Sequence, residues 1–161
     1  MKRNAFALAL SAAAVMLAAG CGGGDSGSST LHIVAKQAHF STIDLGPKGK
    51  SPGDIYAFDG PIIDPESGDE IGQTYGTQTS ISLGSDSEIV QAMITYTFDG
   101  GDSITLGGIG HYPRGDVGLV QNQSVDRPIV GGTGKYAGAS GTVTSVRKSD
   151  GSYDQTFHLE G

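Results

Sequence analysis

Residues 128–143 read Pro-Ile-Val-Gly-Gly-Thr-Gly-Lys-Tyr-Ala-Gly-Ala-Ser-Gly-Thr-Val, and no other stretch constrains the fold so tightly. Five glycines lie between two β-branched runs, Ile129-Val130 and the alternating segment that starts at Thr142. Glycine suits positions where φ is positive or where backbones approach closely, so its density here predicts a compact corner that turns sharply twice between two strands. A phosphate-binding loop is excluded. It requires Gly, four residues, then Gly-Lys-Ser/Thr, whereas Gly134-Lys135 has Ile129 at the leading position and Tyr136 behind it. A dinucleotide fingerprint would open a helix, yet Gly141-Thr142-Val143-Thr144-Ser145-Val146 is strand chemistry.

The rest of the domain follows the same grammar. Glycine supplies 27 of 161 residues, far above the roughly 7% of an average chain, and no segment after the N-terminus keeps a 3.6-residue apolar period. The reading is all β, with strands near residues 31–43, 54–64, 70–83, 89–98, 103–112, 125–130, 141–148 and 152–160. The separators are turn sequences, of which Asp99-Gly100 and Asp150-Gly151 are the clearest hairpin signals. Residues 113–124 carry no readable pattern. Eight strands at hairpin spacing predict closure into an antiparallel barrel, because closure leaves no exposed edge. At that strand number the interior holds either packed side chains or one small ligand.

The glycine corner, with Gly53-Asp54-Ile55-Tyr56-Ala57-Phe58 and Gly72-Gln73-Thr74-Tyr75-Gly76, resembles the allene oxide cyclase and dirigent superfamily over roughly residues 53–161. The resemblance implies an eight-stranded closed barrel, often a homotrimer, that acts on or orients a hydrophobic or phenolic molecule in its lumen. Its cyclase chemistry transfers poorly. Allene oxide cyclases are similar in fold but use a carboxylate and an Asn two residues later on the first strand, and a Cys on the third. Here the first strand has no Glu-x-Asn pair, and Gln78 falls where the Cys would stand. Dirigent proteins use Asp, Tyr and Arg, for which Tyr96 is the one match offered. Templating alone needs few acid–base groups, since pre-orientation supplies several kcal/mol.

The N-terminus reads as a lipoprotein leader, residues 1–20. Lys2 and Arg3 are followed by the apolar run of residues 5–19, and Leu17-Ala18-Ala19-Gly20 precedes Cys21, the only cysteine. The run is shorter than the roughly 18 residues of a spanning helix. Cys21 is therefore the expected lipidation site, and residues 21–30 a flexible Gly/Ser tether that holds a barrel of residues 31–161 off the membrane. Loss of Lys2 and Arg3 takes the formal charge from −7 to −9. An acidic extracytoplasmic domain is poorly suited to nucleic acid, so the expected membrane contact is the lipid anchor at a bacterial envelope, the outer membrane in a Gram-negative cell.

Alternation nominates the lumen. Val90, Ala92, Ile94, Tyr96 and Phe98 share the more apolar face of their strand, as do Tyr153, Gln155, Phe157 and Leu159 of theirs. The ligand-binding candidates are Phe58, Tyr75, Gln78, Tyr96, Phe98, Tyr153 and Phe157. No catalytic residue is nominated. No cofactor is expected, and His32, His39, His111 and His158 lack metal-site spacing. Arg114-Gly115-Asp116 and the Asp-rich loops read as solvated turns. The leading expectation is a lipid-anchored barrel that binds a hydrophobic small molecule. The alternatives are an isomerase or cyclase working in that lumen, and a plugged barrel with a structural role.

Overall fold

A computed structural model describes residues 27–36, 39–114 and 118–160. The leader, Cys21, most of the tether and Gly115-Asp116 of the tripeptide lie outside the described residues. Nine strands follow one another: β1 Ser29–Ala35, β2 His39–Ile43, β3 Ile55–Ile63, β4 Glu70–Leu83, β5 Ser87–Phe98, β6 Ser103–Pro113, β7 Ser124–Thr133, β8 Ser140–Arg147 and β9 Tyr153–Glu160. Every ladder is antiparallel between neighbours in sequence, and β1 lies along β9. The ring closes where β1 also reaches β3, at Val34↔Ile63 and Ala35↔Ile62.

The result is an all-β, closed, eight-stranded antiparallel barrel, with β1 and β2 sharing one stave. The expected single strand at residues 31–43 is split for a geometric reason. Ala35 pairs with Tyr153, the first residue of β9, so beyond it no partner remains on that side. The chain then follows β3 alone, from His39↔Asp59 to Ile43↔Ile55.

The glycine corner differs from the expected double turn. β7 runs on through Gly131 and Gly132, which pair with Thr105 and Ile104, and a single 3₁₀ turn, Gly134–Tyr136, leads to β8. Close approach explains the composition. A Cβ on Gly132 would sit 2.5 Å from the Tyr136 carbonyl oxygen and 2.6 Å from that of Ser103. Gly134, at φ +61°, leaves room for the Asp102 carboxylate, which accepts from the Lys135 amide at 3.1 Å. The corner is thus tied to the β5–β6 hairpin and closes one end of the barrel.

Inside, the two strand faces named from sequence point inward. Val90, Ala92, Ile94, Tyr96 and Phe98 of β5 are buried, with Gln155 and Phe157 of β9. The main core joins Ala92, Ile94, Tyr96, Phe98 and Phe157 to Ile33, Ile62, Ile104, Leu106, Ile129 and Val143, while Val90 packs with Tyr112 and Leu119. It fills the half of the barrel nearest the glycine corner. The inner face of β4 is different: Gly72, Thr74, Gly76, Gln78 and Ser80 supply no large apolar side chain. That strand leaves space where the others fill it.

Candidate functional site

The space is a cavity of about 130 Å³ in the half of the barrel away from the corner. An apolar cavity of about 150 Å³ is known to take a benzene ring, so one aromatic ring is the right scale for this one. Phe58, Ile94, Tyr96 and Tyr153 supply apolar surface, and Thr74, Gln78, Tyr112, Arg127, Ser145, Arg147 and Gln155 line it with polar groups. It reaches the surface beside the exposed residues Lys36 and Phe40.

Four of the seven candidates line this cavity: Phe58, Gln78, Tyr96 and Tyr153. Phe58 lies over Gly76, its register partner on β4, where any Cβ would collide with the ring. Phe98 and Phe157 point inward but belong to the packed core, Phe98 against Tyr136 and Phe157 edge-on to Tyr96 at 5.2 Å between ring centres. Tyr75 is the correction. It stands on the outer face, 53% exposed, because it alternates with the inward-facing Thr74 and Gly76.

The polar members were not foreseen, apart from Gln78 and from Gln155, which the alternation of its strand put on the inner face. Arg127 is 2% exposed and sits on β7 between Val125 and Ile129. Its Nη2 donates to the Tyr112 hydroxyl at 2.8 Å, and Gln78 Nε2 donates to the same oxygen at 3.2 Å. Tyr112 thereby accepts twice and keeps its own proton to donate. Arg127 Nε has no hydrogen-bond partner. Room for the guanidinium comes from Gly110, where a Cβ would run into Nη2. On the adjoining strands β8 and β9 the Ser145 hydroxyl donates to Gln155 Oε1 at 2.6 Å. Arg147 Nη1 donates to the Leu119 carbonyl, which pins the segment after β6 over this end, with Leu119 packed on Val90 and Tyr112.

The tyrosines are held protonated. Burial pushes Tyr96 well above the usual phenol range, against the opposing pull of Arg127. Burial raises Tyr112 likewise, with Arg127 again opposing. Both are therefore hydrogen-bond donors at neutral pH. A second polar group lies next along the wall, where Glu88, 1% exposed, pairs with Lys50 at 2.7 Å. Among the described residues no three His, Cys, Asp or Glu side chains gather as a metal set.

The closed eight-stave antiparallel barrel is the fold found in dirigent and Diels-Alderase barrels. Solved structures bear this out at the level of fold. A pyocyanin demethylase superposes with a TM-score of 0.67 at 19% identity, covering 81% of this chain and 99% of that one. A pterocarpan synthase dirigent protein gives 0.63 at 18%, covering 83% and 88%. A Diels-Alderase from Streptomyces koyangensis gives 0.61 at 20%, covering 86% and 70%. No family model and no curated protein matches the chain by sequence.

Proposed function

We propose that this barrel binds one small aromatic or otherwise apolar molecule in the hollow half of its lumen. The observation that carries the reading is the cavity itself: ring-sized, walled by Phe58, Tyr96 and Tyr153, and supplied with a few convergent polar groups. A barrel built only to pack would place bulk on the inner face of β4, and this one places threonine, glutamine and glycine there. Native mass spectrometry of the protein extracted gently from its own host is the direct test. A retained molecule of defined mass, or saturable uptake of small aromatic probes, is the expected result. An empty barrel that refuses every such probe overturns the reading in favour of a structural barrel.

A second reading, an isomerase or cyclase that templates a ring closure or coupling, is favoured by the Diels-Alderase and dirigent structures that share the fold. Tyr96 and Tyr112, both protonated, are the donors such chemistry would use to steady a developing oxyanion. Conversion of the retained molecule by wild-type protein, with a loss of rate in Tyr96→Phe, separates a catalyst from a carrier. The sequence of residues 1–21 supports, as part of this reading, a lipid anchor at Cys21 outside the cytoplasm. The expected signature is an acylated N-terminal peptide that Cys21→Ala abolishes together with membrane association.

A further inference from the structure

The lumen carries a buried charge that its own wall does not neutralise. Arg127 is 2% exposed, and among the described residues no carboxylate comes within ion-pair distance of it. Among the described residues, Lys36 and Arg127 border the cavity together with Arg147, which is engaged elsewhere, and no described Asp or Glu lines it. This is the reverse of the whole chain, whose formal charge is −7. Glu88, the buried acid next along the inner face, is already paired with Lys50. Taking a guanidinium out of water is costly unless a counter-charge or a full set of hydrogen bonds repays it. Here Tyr112 satisfies one nitrogen, and Nε is left without an acceptor.

Resting on the lumen-binding reading above, we infer that Arg127 anchors an oxyanion of the ligand, so that the barrel selects an aromatic acid, a carboxylate in the first instance, over a neutral molecule of the same shape. The ring would lie against Tyr96, Phe58 and Ile94, and the acid group would take the donors that Arg127 Nε and the Tyr112 hydroxyl hold unused. A guanidinium and a carboxylate match as planar partners, and their hydrogen bonds are about twice as strong as neutral ones. The bond to Tyr112 and the space over Gly110 fix the direction in which the guanidinium faces. A neutral hydrocarbon would leave that cost unrelieved.

The test compares matched pairs by isothermal titration calorimetry: benzoate with benzamide, cinnamate with cinnamamide, and 2-naphthoate with 2-naphthamide. The wild-type protein is expected to bind at least one acid tenfold or more tighter than its amide. Arg127→Met, close in length and uncharged, is expected to lose the preference, lowering the affinity for the acid far more than that for the amide. Tyr112→Phe is a second variant and is expected to lower the preference severalfold, because it removes a donor to the acid and frees the guanidinium to turn. Equal affinities for acid and amide in the wild type overturn the inference and leave the lumen reading standing. A preference that survives in whichever of these variants fold also overturns it, by placing the anion elsewhere. Failure of every acid and every amide to bind overturns both.

Discussion

The two halves of this barrel are made from the same strands and use them differently. Toward the glycine corner, Ile33, Ile62, Phe98, Ile104, Leu106 and Phe157 interlock with no polar group among them. Toward the other end the same staves present Gln78, Tyr112, Arg127, Ser145 and Gln155 around a void. β5 and β9 switch along their length, Tyr96 and Phe157 marking the boundary where the two rings meet edge to face. One half holds the fold together, and the other tolerates a cavity and a lone guanidinium. Packing and open space are thereby separated along the barrel axis.

Substitutions break the comparison in order of size. Phe157→Ala removes a fully buried ring from the packed half and is expected to cost about 3–5 kcal/mol. Urea unfolding measures it, and a loss under about 1 kcal/mol would mean that this half is not the stabilising one. Gly76→Ala, at the boundary, drives a methyl into the Phe58 ring and should cost about 1–3 kcal/mol in the same assay.

A smaller effect follows from alkali. Tyr96 and Tyr112 stay protonated in the fold while the unfolded chain ionises them near pH 10, so their contribution is whole below that pH and drains away above it. Stability should fall by about 1 kcal/mol per pH unit for each such tyrosine above pH 10, and Tyr96→Phe should flatten the slope. The smallest effect sharpens the contrast most. Arg127→Met removes an unpaired buried charge, and Gln78 still donates to Tyr112, so stability should hold or rise by about 0–2 kcal/mol. A large loss there would make the guanidinium a structural part after all.

The fold was legible because alternation and turn chemistry are local. The strand faces of β5 and β9 could be read from spacing alone, and Asp99-Gly100 and Asp150-Gly151 did mark hairpins. What escaped was decided by long-range partners. Tyr75 was nominated for its ring, but the parity of β4 follows Thr74 and Gln78, small and polar residues that carry no hydrophobic signal. Arg127 was passed over for the converse reason: Val125-x-Arg127-x-Ile129 puts it on the inner face, yet a charge in a strand reads as outward. Residues 113–124 gave no pattern because, among the described residues, Leu119 is the side chain of this segment packed in a core cluster, while Gln121 meets Arg147 in an isolated parallel bridge.

The shared stave has a dynamic consequence. Around most of the ring, neighbouring strands hold each other by long ladders, as β5 and β6 do from Ser87↔Pro113 to Thr97↔Ser103. Among the described residues the circuit is completed through two register pairs and the Lys36 amide's bond to the Pro61 carbonyl, where β1 leaves β9 and meets β3. A closed belt parts first at its shortest overlap, since local opening requires the fewest bonds to break there. Amide exchange at Val34, Lys36 and Ile63, whose N–H groups face the overlap, should therefore outpace that of the β5–β6 ladder. With the cavity reaching the surface beside Lys36, the residue next after that overlap, the place where the ring parts most readily also borders the mouth through which a guest would enter.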